Sequence, residues 1–139
     1  MTQEEIGGLV KEALAARVNA YAPYSGYTVG AALLAGDGRI YRGCNVENAS
    51  YGATGCAERT AFFKAVSEGE RTFSAIAIAG GMAGQAPADY AFPCGICRQV
   101  MSEFCDADFR IFVAKDEADY REFRLGELLP CGFGGASIQ

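Results

Sequence analysis

Thr54-Gly55-Cys56-Ala57-Glu58-Arg59-Thr60 sets a thiol two residues before a carboxylate, at the point where a Gly- and Asn-rich loop gives way to a helical pattern. Its counterpart is Pro93-Cys94-Gly95-Ile96-Cys97-Arg98, where Pro93 suits the start of a second helix. Cys94 and Cys97 offer two thiolates three residues apart, a spacing that on a helix puts both sulfurs on one face. Cys56 would complete a set of three zinc ligands and leave one coordination position open, which distinguishes a catalytic zinc from a structural one. Helix N-termini lower thiol pKa values and so favour the thiolates a zinc site needs. Glu58 would close that open position if it were a ligand, so its natural work is to carry a proton for a metal-bound water. Three thiolates leave the site negatively charged. Arg59 and Arg98 are the candidates for offsetting that charge, and Arg59, standing behind the ligands, is the better placed.

Residues 56–68 read as a helix stopped by Gly69, and residues 93–104 as a second. Phe73 to Ala79 is an unbroken apolar run suited to a buried central strand, and Asp108 to Lys115 is another strand. Upstream, residues 27–34 and 39–44 flank Gly36-Asp37-Gly38 and read as a hairpin. Thr2 to about Tyr21 has helical periodicity, ended by Pro23 and weakened at Gly7-Gly8. Gly80 to Phe92 reads as loop, and the tail as a weak helical turn at 127–129 before a Gly-rich end. The order α, β, β, α, β, α, β predicts an α/β layered fold with a mixed sheet, in one domain over 1–139.

Composition narrows the function. The chain has no histidine, so Ser-His-Asp and Cys-His catalysis, two-His zinc proteases and Cys2His2 fingers are excluded. A net charge of −5 disfavours binding to phosphate backbones, so no nucleic-acid partner is expected and a small substrate is favoured. No apolar run is long enough for a membrane span and no signal-peptide core begins the chain, which together predict a cytoplasmic protein. There, six cysteines read as ligands and small buried residues rather than a disulfide framework. Two alternatives stay open: Cys94 and Cys97 as a redox pair, or a fourth cysteine among Cys44, Cys105 and Cys131 closing a purely structural site. Otherwise those three are small core residues.

Cys-X-Glu followed after roughly 35 residues by Pro-Cys-X-X-Cys resembles the signature of zinc-dependent nucleobase deaminases. The likeness extends through Ala22-Pro23-Tyr24-Ser25, Val29-Gly30-Ala31-Ala32, Gly43-Cys44-Asn45-Val46-Glu47-Asn48, Cys56 to Ala61, Pro93 to Gln99 and Leu128-Leu129-Pro130. Over nearly its whole length the chain is similar to the short, homotetrameric cytidine deaminases. That resemblance implies a three-layer α/β/α sandwich with a mixed, about five-stranded sheet. It also implies one zinc per chain on Cys56, Cys94 and Cys97, and hydrolysis of cytidine and 2′-deoxycytidine to uridine and 2′-deoxyuridine with release of ammonia. Zinc-bound hydroxide would attack the amino-bearing ring carbon, with Glu58 as proton shuttle. Tyr27, Asn45, Glu47 and Ala57 match substrate-binding positions, Asn45 and Glu47 as a ribose-binding pair at a strand end. Ala49, Tyr51 and Phe133 match positions that neighbouring subunits contribute to a shared active site. Tyr27 stands where related enzymes commonly have Phe, and its hydroxyl needs a partner if buried. Rival readings are a blasticidin S deaminase-like activity, a single-strand editing deaminase and a non-catalytic zinc-stabilised binding module. Glu47 and Arg59, the acidic composition and the intact Glu58 argue against them in turn.

Overall fold

A computed structural model describes residues 1–139. Helix α1 (Gln3–Ala16) begins with a reciprocal cap: Glu5 N–H donates to Thr2 Oγ1 and Thr2 N–H donates to Glu5 Oε1, both at 3.1 Å. This Thr-X-X-Glu box satisfies helix donors that would otherwise fray, so the start holds despite Gly7-Gly8. The helix ends earlier than Pro23 requires. A short 3-10 turn (Arg17–Asn19) follows, and Tyr21, exposed rather than helical, bridges to Val46.

Strands β1 (Tyr27–Ala35), β2 (Ile40–Cys44), β3 (Phe73–Met82), β4 (Arg110–Ala114) and β5 (Tyr120–Arg124) form one sheet in the order β2-β1-β3-β4-β5. Only β3 and β4 run parallel. Their crossover carries α3 (Gly95–Phe104), while α2 (Ala57–Ser67) joins β2 to β3. The central strand explains the layering: Ile76 and Ile78 point to one face of β3 and Ala75, Ala77 and Ala79 to the other. On the first face Phe62 and Ala61 of α2 and Met101 of α3 pack over Ile76, Ile78, Ile111 and Val113. On the second, α1 lays Ile6, Leu9, Val10 and Ala13 against the alanines, whose small size lets the helix come close. The result is the expected three-layer α/β/α sandwich with a five-stranded mixed sheet.

Two readings of the chain need correction. Residues 120–124 carry Arg121, Glu122 and Arg124 between Tyr120 and Phe123, and the strand lies at the sheet edge, mostly solvated. Edge strands use charge in this way to discourage further pairing, which hid β5 from a search for apolar runs. Second, β3 continues past Ala79 through Gly80-Gly81 to Met82, paired with Tyr27 and Thr28 of β1. A side chain at Gly80 would stand 3.0 Å from the Tyr27 ring and from Ala91, and one at Gly81 3.1 Å from an Arg17 nitrogen. The glycines mark close approach of neighbouring groups inside a strand, not a turn.

Candidate metal centre and substrate cavity

Cys56 and Cys94 are the N-caps of α2 and α3, so the N-terminal ends of both helices meet beside the inner strands β1 and β3. Cys94 is therefore not on a helical turn with Cys97, as spacing alone suggested. It precedes the helix, and its sulfur accepts the Cys97 N–H at 3.5 Å. The sulfurs of Cys56, Cys94 and Cys97 lie within 4.8 Å of one another, and Cys56 Sγ is 3.6 Å from Cys94 Sγ. Two thiolates on a tetrahedral zinc at about 2.3 Å would stand about 3.8 Å apart, so the spacing fits the ion and lies far outside disulfide bonding. Cys97 is fully buried, whereas Cys94 is exposed. Hydrogen bonds from Cys97 and Arg59 hold the Cys56 thiol well below its usual pKa; Cys97, as the donor to Cys56 and buried beside Glu58, is pushed up. A set of thiols primed by an arginine and two helix ends is chemically suited to zinc. None of Cys44, Cys105 and Cys131 joins the cluster. Contrary to the expectation of three core residues, Cys44 and Cys105 are half-buried and Cys131 is exposed with φ 56°. Burial pushes Cys44 up and Cys105 up to about 12, so both remain thiols.

Arg59 sends one terminal nitrogen to Cys56 Sγ and to the Thr54 carbonyl, both at 3.3 Å. Its Nε is the one buried side-chain polar atom without a partner. The guanidinium is thus held against the Cys56 sulfur, and that contact is the main reason its pKa is raised. Arg98 is engaged elsewhere. It donates to the carbonyls of Pro93 and Leu128, both at 2.7 Å, and so pins the approach to α3 against the tail.

Glu58, on the first turn of α2, is 4 % exposed, and burial pushes its carboxyl up to about 7. It lines a cavity of about 400 Å³, within the usual small-molecule range, together with Tyr27, Val29, Asn45, Ala57, Cys56 and Cys94. The far wall is Tyr90, Ala91 and Phe92, a contribution missed when the segment 80–92 read only as loop. Two aromatics just before the Pro-Cys of the thiol cluster are the signal that could have found it. Tyr27 supplies the wall facing Gly80, and its hydroxyl is not a buried, unpartnered atom.

Asn45 and Glu47 follow the end of β2 and line depressions that meet at Thr54. β2 stops at Cys44, and Val46 bridges to both Tyr21 and Gly55, which turns the two side chains into adjoining depressions. Asn45 is buried; its Oδ1 accepts Val29 N–H at 2.9 Å and its Nδ2 donates to the Tyr27 carbonyl at 2.8 Å. One Nδ2 proton is left for a ligand. Glu47 accepts from the backbone N–H groups of Tyr24 and Ser25 and from the Ser25 hydroxyl, and that hydroxyl is the main reason its pKa is lowered. Its depression, about 410 Å³, adjoins the first at Thr54 and includes Tyr51. Ala49, Tyr51 and Phe133 are all exposed, and none lines the Glu58 cavity.

Residues 3–113 match the family model described as the cytidine and deoxycytidylate deaminase zinc-binding region. The chain belongs to this family. A cytidine deaminase of Halalkalibacterium halodurans is 52 % identical over 125 residues, covering 90 % of this chain and 91 % of that one. The Mycobacterium tuberculosis cytidine deaminase is 42 % identical over 119 residues, covering 86 % and 82 %. Among solved structures, the Burkholderia pseudomallei cytidine deaminase superposes with a TM-score of 0.83 at 46 % identity, covering 96 % of this chain and 100 % of that one. Family and fold agree with the thiol cluster, and no helix is long and apolar enough to cross a membrane.

Proposed function

We propose that residues 1–139 form one zinc-dependent cytidine deaminase domain, hydrolysing cytidine and 2′-deoxycytidine to uridine and 2′-deoxyuridine with release of ammonia. The observation that carries this reading is the buried Glu58 carboxyl, set at the wall of a cavity beside three clustered thiols. Cys56, Cys94 and Cys97 would hold the zinc, which supplies Lewis acidity that brings the pKa of water near ~7. Glu58 accepts a proton from the attacking water and delivers it to the ring nitrogen next to the amino-bearing carbon, then takes the remaining proton of the added hydroxyl and passes it to the amine, which leaves as ammonia as the carbonyl forms. Arg59 keeps the thiolate site from accumulating charge. Tyr27 and Phe92 bound the flat base, Ala57 packs at its edge, and the free Nδ2 proton of Asn45 with the Glu47 carboxylate holds sugar hydroxyls.

No Lys or Arg lines either depression to pair with a phosphate, and the charged side chain of the sugar-side depression is the Glu47 carboxylate. Ammonia release is therefore expected from cytidine and 2′-deoxycytidine, with cytidine monophosphate turned over at least about a hundredfold less efficiently, since an unpaired charge beside a carboxylate costs several kcal/mol. Equal turnover of the monophosphate would remove the nucleoside assignment, and inert nucleosides would remove the deaminase itself.

The assembly supported by the same reading is a homotetramer with active sites shared between subunits. Ala49, Tyr51 and Phe133 are exposed on their own chain, as residues offered to a neighbour would be. The Phe133 carbonyl accepts Gln99 Nε2 at 2.8 Å, which holds the tail against α3 while leaving the ring free to stack on a base. Removing residues 131–139 should lower kcat/KM by about tenfold or more, the scale of one lost aromatic stack, with a much smaller change in melting temperature. A fully active truncated protein would refute the shared site. Six cysteines read as zinc ligands and unpaired thiols are consistent with a cytoplasmic setting.

A further inference from the structure

Arg17 lies on the 3-10 turn after α1, outside every residue set used above for metal, proton or sugar. Its Nε donates to the Thr28 carbonyl at 3.1 Å, and one terminal nitrogen donates to Thr28 Oγ1 at 3.1 Å, the Met82 carbonyl at 3.2 Å and the Gln85 carbonyl at 2.9 Å. It forms no ion pair with any carboxylate, and burial pulls its pKa down. An arginine held only by neutral acceptors contributes through the shape of its donor fork rather than through charge pairing. The fork joins the start of β1, the end of β3 and the first turn of the segment leading to Tyr90, Ala91 and Phe92. Gly81 is part of the same fitting, because a Cβ there would stand 3.0 Å from Pro87 Cα and 3.1 Å from the guanidinium, tighter than side chains normally sit.

Both walls of the substrate cavity hang from this point. Tyr27 is adjacent to Thr28 and pairs with Met82, while residues 83–92 leave the sheet at Met82 and return as the opposite wall. The far end of that segment has its own anchor, the Tyr90 hydroxyl donating to Asp119 Oδ1, with Lys115 Nζ 4.7 Å and Arg121 Cζ 4.5 Å from the Tyr90 ring centroid. Losing the Arg17 end would therefore loosen the wall without releasing it.

We propose that Arg17 is a positioning residue for the deaminase reaction, fixing the Tyr27 and Tyr90–Phe92 walls at the spacing a bound cytosine requires. The inference rests on the deaminase reading, which turnover by the unaltered protein tests independently. Arg17→Ala should keep its zinc and raise KM for cytidine by about tenfold with kcat within about twofold, the pattern of an interaction lost equally from ground and transition states. Arg17→Lys should behave similarly, because an ammonium cannot span the Thr28, Met82 and Gln85 acceptors as a fork does. Millimolar guanidinium should lower the KM of Arg17→Ala, whereas urea at equal concentration should not. A merely structural role predicts fallen zinc content or fallen kcat in step with melting temperature and no guanidinium effect. That outcome, or an unchanged KM, would overturn the proposal.

Discussion

Glu58→Gln is expected to bind zinc and cytidine as the unaltered protein does and to lose about 10³- to 10⁴-fold in kcat, the upper range for removal of a general acid–base. The substitution changes almost nothing in shape. Glu58 is buried beside Cys97 and Arg59, and an amide of the same size fills the same space. What it cannot do is take up a proton and give it back, and the reaction needs one transferred to the ring nitrogen and one to the leaving amine. Burial raises the carboxyl's pKa because the ionised form is costly there, so a neutral amide should leave the melting temperature unchanged or higher. Loss of rate with retained stability separates chemistry from architecture. Near-normal turnover in this variant would assign the proton transfer to another group.

Cys97→Ala tests the metal centre with a comparably large effect. Cys97 is fully buried, whereas Cys94 is exposed and Cys56 half-buried. With two thiols left, zinc content measured on the purified protein should fall to near zero and cytidine turnover to background. Stability should fall as well, since an ion present at a thousand times its dissociation constant contributes about 4 kcal/mol to the folded state. Cys131→Ala is the natural comparison, because that thiol is exposed and outside the cluster, and it should retain both zinc and fold. Full zinc occupancy in Cys97→Ala would mean that the metal sits elsewhere.

The parts of this molecule written in local chemistry were legible before the structure. Cys56 and Glu58 at a helix start, Pro93 before two cysteines, and the alternation of large and small residues in β3 each state their surroundings within a few positions. What was not legible depends on distant partners. β5 has no apolar run because its neighbours are β4 on one side and water on the other. Gly80-Gly81 reads as the start of a loop until Tyr27 and Arg17 are seen occupying the space beside it. Asn45 and Glu47 appear as a matched pair, yet each is held by a different partner, Asn45 by the backbone of β1 and Glu47 by Ser25, in depressions that meet at Thr54. Tyr90 and Phe92 were hidden for the same reason. Their role comes from where the loop after β3 is held, and the groups that hold it, Arg17 and Asp119, lie far from them in sequence.

The most direct test is cytidine turnover, followed by loss of ultraviolet absorbance, while zinc is titrated back into chelator-treated protein and quantified on the same sample. Activity should be absent without metal, rise in proportion to bound zinc and level off at about one ion per chain, the stoichiometry of an open three-thiolate site. Zinc bound to that level with no turnover, or turnover indifferent to zinc, would contradict a catalytic metal held by Cys56, Cys94 and Cys97.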